Sequence, residues 1–168
     1  PKREVDLCGH ATLAAAAVAF EKLDYKGKEI EFNSKSGLLK VRKEENLYIL
    51  DFPADEIKQI TEGKEIVDAI GRVPEEIWKG REDHLLIYPS EVDVMAIKPD
   101  FRELAKHTQR GVIVSAPGNS KDFVSRFFAP AAGIDEDYVT GSAHTSLTPY
   151  WSKRLDKTEL TAMKISSR

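Results

Sequence analysis

A chain of 168 residues and 18.8 kDa suits one ordinary domain or two small ones, and its 41% apolar and 32% charged residues exclude a disordered or collagen-like polymer. The net charge of −3, from 25 Lys and Arg against 28 Asp and Glu, supplies no positive field to gather nucleic acid or anionic lipid. No run approaches the roughly 18 to 20 apolar residues of a membrane-spanning helix, and the single cysteine excludes an internal disulfide framework or a Cys–Cys metal knuckle. These features predict a cytoplasmic protein that uses neither a membrane nor nucleic acid as a partner.

The chain opens at Pro1 with no initiator Met or signal-peptide pattern and stops at Ile165-Ser-Ser-Arg168, where a strand is ending. Ends this abrupt predict a piece of a longer polypeptide. Residues 12–23 contain neither Pro nor Gly and are rich in Ala and Leu, which predicts a helix over about 10–23. Its surface is apolar nearly all round, the mark of a buried helix. Three runs follow, Glu29–Asn33, Gly37–Arg42 and Asn46–Phe52, and their alternation and short polar turns predict an antiparallel meander closed by Pro53. Ile57, Ile60, Ile66, Val67 and Ile70 give imperfect helical spacing broken near Gly63. Pro74–Trp78 is read as a helix or 3-10 turn, His84–Tyr88 as a strand, and Ser90–Ile97 as a second short strand. Pro99–Lys106 reads as a short helix, Gly111–Ser115 as a buried strand, Phe123–Phe128 as an alternating strand, and Ser142–Leu155 as a second helix entered through glycine. The expectation is an α+β chain in two parts, 1–54 and 55–168, each with a small-residue turn leading into a helix.

The two turns resemble one another. Cys8-Gly9-His10-Ala11 returns as Thr140-Gly141-Ser142-Ala143. A helix start leaves backbone N–H groups without partners and carries a partial positive charge, and glycine lets a ligand approach the backbone closely. Each turn can therefore cradle a carboxylate, and two facing starts would hold an acidic metabolite and stabilise enolate charge once a proton is removed. No phosphate-loop or dinucleotide fingerprint is present, and no His and carboxylate spacing points to a metal.

His10 is either a packed histidine donating one hydrogen bond or a proton-transfer partner in a cleft. His144 reads as a cap or packing residue on the opposite helix, and His84 and His107 as surface positions. In Asp135-Glu136-Asp137 the first two acids read as solvated. Asp137, three residues before Thr140, is placed to accept N–H bonds or act as a carboxylate beside the anion cradle. Cys8 is a small buried residue or a reactive thiol at the helix start; a two-thiol racemase is ruled out because the matching second turn holds no cysteine.

Glu4-Val-Asp-Leu-Cys-Gly-His-Ala-Thr-Leu-Ala14, Gly111-Val-Ile-Val-Ser115, Arg126-Phe-Phe-Ala-Pro-Ala-Ala-Gly-Ile-Asp-Glu-Asp-Tyr-Val-Thr-Gly-Ser-Ala-His144 and Pro149-Tyr-Trp151 closely resemble the phenazine biosynthesis PhzF-like family, of the diaminopimelate-epimerase-like superfamily. The resemblance implies two pseudo-symmetric lobes, each a curled, mostly antiparallel sheet around a central helix (about 10–23 and 142–155), with the active site between them. It also implies a cofactor-independent, metal-free isomerase that moves a proton on a small acidic metabolite, and a homodimer. By motif match, His10 and Asp137 correspond to active-site residues and Ser142 to a substrate-contacting serine. Gly9, Ala11, Thr12, Gly141 and Ala143 shape the two cradles, with Cys8, Tyr138 and His144 as modulators. Tyr138 occupies a position where the family commonly has Pro. The family's catalytic glutamate precedes the Cys-Gly-His turn, and Glu4 does not match it; the resemblance therefore predicts that this glutamate lies upstream and that these residues alone are inactive. A lyase or tautomerase using the same site, or a catalytically inactive metabolite-binding or interaction protein of the same fold, are the alternatives.

Overall fold

The computed structural model describes residues 7–166; Glu4 and the terminal Ser167-Arg168 lie outside them. Helix α1 (Gly9–Lys22) leads into β1 (Glu29–Ser34), β2 (Gly37–Glu44) and β3 (Leu47–Asp51), which form the expected three-stranded antiparallel sheet. Leu39 and Val41 share one face of β2 by the two-residue period, and both are buried, as is Ala16 of α1. Glu21 accepts hydrogen bonds from Lys43 Nζ at 2.6 Å and from the Tyr48 hydroxyl at 2.8 Å, fastening the end of α1 to this sheet.

A second sheet follows. Its strands are β4 (Lys58–Ile60), β5 (Glu76–Lys79), β6 (His84–Ile87), β7 (Val112–Pro117), β8 (Phe123–Ala129), β9 (Ile134–Glu136) and β10 (Ala162–Lys164), in the order β10-β8-β7-β6-β5-β4 with β9 also on β8. The pairs β6–β7 and β8–β10 are parallel and the others antiparallel. Every residue of β8 is buried, because helices cover both faces of the sheet. Helices α2 (Lys64–Ile70), α3 (Glu91–Ala96) and α4 (Phe101–His107) pack Ile70, Val94 and Leu104 against Leu86, Val114 and Phe128. On the other face α5 (His144–Leu155) packs Leu147 and Trp151 against Leu85, Ile113 and Phe123. Odd and even strand positions thus serve different cores. Trp151 stacks on Phe123 at 5.7 Å, and its Nε1–H donates to Ser115 Oγ at 2.9 Å.

Arg126 is buried on β8. Its Nε and Nη2 donate to Glu136 at 2.8 Å each, and Nη1 donates to the carbonyl oxygens of Val94 and Ile97 at 3.0 and 2.8 Å. A cation at the carboxyl end of α3 complements the helix dipole, adding a donor to the Val94 carbonyl, which also accepts the Ile97 N–H at 3.4 Å, and one to the Ile97 carbonyl beyond the helix.

Several elements differ from the sequence reading. Helix α1 is not buried all round: among its residues only Gly9 and Ala16 are buried, and Val18 is 51% exposed, because the described sheet covers one side of it. Residues 58–60 are a strand, and helix begins only after Gly63, whose φ of 118° halts the earlier spacing. Pro74–Trp78 is not helical; β5 starts at Glu76 because pairing with both β4 and β6 outweighs the local Pro cue. Ser90–Ile97 forms α3 rather than a strand, and Ser90 caps it by accepting the Asp93 N–H.

Candidate active site at two apposed helix starts

The two small-residue turns meet. Cys8 is the N-cap of α1, and a 3-10 turn over Gly141–Ala143, with Thr140 as its N-cap, delivers the chain into α5. A Cβ placed on Gly9 would lie 3.5 Å from the Gly141 Cα and 3.2 Å from the edge of the Phe52 ring, and one on Gly141 would lie 3.6 Å from the Gly9 Cα. The helix starts adjoin, and the space for a ligand opens beside them: a cleft of about 510 Å³ lined by His10, Leu13, Phe52, Val139, Gly141 and His144. Two positive helix ends border this cleft, and Asp51 contributes a carboxylate to its lining.

His10 is exposed at the cleft, with its Nε2 3.7 Å from Cys8 Sγ. Ala11 is exposed. Thr12 turns its hydroxyl back on its own helix and donates to the Cys8 carbonyl at 2.9 Å. Across the cleft, His144 is held below the usual imidazole range by desolvation, opposed by hydrogen bonds to the backbone of Thr140 and Gly141. Ala143 is buried and Tyr138 is 45% exposed. Asp137 does not line this cleft: one carboxylate oxygen accepts from the Thr140 hydroxyl at 2.7 Å and the other from the Val139 N–H at 3.1 Å, closing the loop ahead of Gly141.

Ser142 faces a smaller polar recess of about 60 Å³ on the other side of the turn, shared with Asp55, Asp83, Arg110 and Ser146. Arg110 pairs with Asp83 and donates from Nη2 to Ser142 Oγ. Burial pushes the Asp83 carboxyl up to about 6 against the pull of Arg110, and its Oδ1 has no hydrogen-bond partner among the described residues. Lys164, brought up to the turn by β10, donates to Thr140 Oγ1 at 2.7 Å, and burial lowers its ammonium to about 8. His84, read from sequence as a surface residue, is half-buried and lowered to about 4 by desolvation.

Arg110, Asp83, Asp55 and Lys164 escape the sequence reading. The available signal is positional. Asp83 and Arg110 immediately precede the apolar runs of β6 and β7, and parallel strands bring their leading ends to one edge of a sheet. Among the described residues no group of three or more His, Cys, Asp or Glu side chains could hold a metal ion, and no helix is long and apolar enough to cross a membrane.

The sequence profile described as "Phenazine biosynthesis-like protein" matches residues 1–167. An uncharacterized isomerase of Pseudomonas aeruginosa is 51% identical over all of this chain and 64% of its own length, and one of Halalkalibacterium halodurans is 42% identical over all of this chain and 65% of its own. Among solved structures, a PhzF-family phenazine biosynthesis protein of Enterococcus faecalis superposes with a TM-score of 0.89 at 46% identity, covering 99% of this chain and 64% of that one. The chain belongs to the PhzC-PhzF family of phenazine biosynthesis-like proteins. It has that family's α+β fold, its curated relatives include several named as isomerases, and it spans a little under two thirds of their length.

Proposed function

We propose that this chain forms part of a cofactor-independent isomerase that moves a proton on a small carboxylate-bearing metabolite. The observation that carries the reading is the apposition of the Gly9 and Gly141 helix starts beside one cleft. The ligand carboxylate rests on unpartnered N–H groups of these starts, and negative charge that develops when a neighbouring C–H loses its proton meets the same two positive ends. A carboxylate base removes the proton, His10 at the cleft wall holds or returns it, and Ser142 contributes to binding. Gly9, Ala11, Thr12, Gly141 and Ala143 shape the cradles. Asp137, an acid/base group by the family motif, has both oxygens hydrogen-bonded within its own loop, and its part in this reading is to set the loop that carries Gly141.

Deuterium incorporation from D₂O into a panel of small amino and hydroxy carboxylates, followed by proton NMR with the full-length protein, tests this. Exchange at one carbon without loss of a group, abolished by His10→Ala, is expected. Saturable binding with no exchange would overturn the isomerase reading. It would favour a metabolite-binding protein, a second reading supported by the structural hydrogen bonds that occupy both Asp137 oxygens. Loss of a group would indicate a lyase.

A further inference from the structure

The Ser142 hydroxyl is an acceptor already in use and a donor not yet in use. Its oxygen receives a hydrogen from Arg110 Nη2. A guanidinium has no acceptor, so the hydroxyl hydrogen must point elsewhere, and no hydrogen bond donated by that hydroxyl joins it to another described residue. The hydroxyl faces the polar recess that Asp55 and Asp83 also line, so what this side chain passes on to the neighbouring cleft is the position of its own backbone.

Arg110 cannot move readily from this arrangement. Its side chain is 16% exposed, Nη1 is paired with the buried Asp83, Nε lies 3.6 Å from Glu82, and the guanidinium lies 5.4 Å from the Phe127 ring centroid. Ser142 is fixed from the other side: its carbonyl accepts the Thr145 hydroxyl at 2.7 Å, and the Ala143 N–H closes the turn onto Thr140 at 3.3 Å. The network begins at the leading ends of β6 and β7 and ends at the turn that starts α5.

We propose that Arg110, anchored by Asp83, is a positioning residue that holds the Ser142 side chain and so fixes the Gly141 turn whose backbone borders the anion cleft. This rests on the anion-cleft reading above. Arg110 itself is spent on Asp83 and Ser142 and acts through the serine; a lysine at this place would have to reach both partners with a single ammonium and would hold neither in the same geometry.

Two measurements on the full-length protein test it. In the first, benzoate binding is titrated calorimetrically for wild type, Arg110→Met, Ser142→Ala and the double variant. Arg110→Met is expected to weaken benzoate about fivefold when Ser142 is present and to change it little once Ser142 is Ala, the non-additivity of groups acting as a unit. Equal losses in both backgrounds would overturn the proposal. The second needs no ligand. In Arg110→Met the amides of Ala143 and His144, which close the turn onto Thr140 and Gly141, are expected to exchange hydrogen about tenfold faster, while those of Leu85 and Ile113 in β6 and β7 stay protected. An unchanged turn, or loosening that extends through both strands, would overturn it. Failure of wild type to bind benzoate or any small carboxylate would remove the anion-cleft reading, and the exchange measurement would still decide the role of Arg110.

Discussion

The backbone N–H of Asp55 donates to the carbonyl oxygen of Thr145 at 2.9 Å, a carbonyl that an uninterrupted helix would commit to residue 149. That residue is Pro149, inside α5 and without an N–H. The missing helical hydrogen bond is therefore replaced by one from the segment that joins the two sheets. The Asp55 side chain strengthens the junction by accepting from Ser146 Oγ at 3.0 Å and from the Arg81 N–H at 3.2 Å.

Pro149→Ala would return a competing donor to Thr145. Because a helix-interior Pro is costly, by roughly 3 kcal/mol in an isolated helix, the variant is expected to retain or gain global stability while the junction loosens. Hydrogen exchange should show a faster Asp55 amide alongside an unchanged or raised melting temperature. An Asp55 amide with wild-type protection would show that Pro149 is not what directs this bond.

At the apposed helix starts the two glycines differ in what surrounds them. Ala at Gly141 would make only ordinary contact, 3.6 Å from the Gly9 Cα, whereas Ala at Gly9 would meet the Phe52 ring edge at 3.2 Å and require it to move. Overpacking costs of about 1–3 kcal/mol exceed the helix advantage of Ala over Gly, just under 1 kcal/mol. Gly9→Ala should therefore destabilise by about 1 kcal/mol in urea unfolding, and Gly141→Ala by less than about 0.5 kcal/mol. The reverse order would mean that the Phe52 ring does not limit the site.

Arg126 satisfies Glu136 and two carbonyls at the end of α3 from a buried position. Arg126→Met would leave the Glu136 carboxylate, itself half-buried, without its cation. The expected loss is about 3–5 kcal/mol, measured by denaturant unfolding. Arg126→Met with Glu136→Gln should recover part of it, since the second change removes the stranded charge.

Asp83 titrates at about 6 in the folded protein, raised by burial; Arg110, Lys79, Glu82 and Asp55 are the charged groups around it. A carboxyl whose folded pKa lies above its unfolded value binds its proton more tightly when folded. Its contribution to stability is therefore full below about pH 4 and is lost as pH rises through 6. The size is of the order of 3 kcal/mol for a shift of about two pH units. Asp83→Asn should remove this slope between pH 4 and 6 in melts corrected for other carboxylates. An unchanged slope would mean that the pair with Arg110 keeps Asp83 ionised throughout.

The sequence revealed most where local chemistry and tertiary packing agree. The Ala-rich run after Gly9, the meander from Glu29 to Asp51 and the apolar strands of β6, β7 and β8 all follow period and turn residues. It misled where a long-range partner decides. The Glu76–Lys79 strand exists because two neighbours pair with it. α3 carried a readable signal, Ser90 followed three residues later by Asp93 at a helix start, which the alternation of Val92 and Val94 with charged residues obscured. The glycine turns were legible as two small-residue helix starts; that they meet at one place was implied by the family resemblance and not by the repeat itself. The recess was not legible: Asp83 and Arg110 stand 27 residues apart, and only the parallel pairing of β6 and β7 brings them beside Ser142.

The contact between Gly9 and Gly141 has an electrostatic cost. Each helix start carries about half a positive charge, and two such ends as close as the Gly9 and Gly141 backbones repel by about 1 kcal/mol in surroundings of effective dielectric near 20. The hydrogen bonds that join Asp55 to Thr145 and Ser146 hold this junction against that repulsion. On the function proposed above, a bound carboxylate would turn the repulsion into attraction from both sides and act as a strut between them. Ligand affinity and the rigidity of the junction are then a single coupled quantity, and added salt should weaken both together.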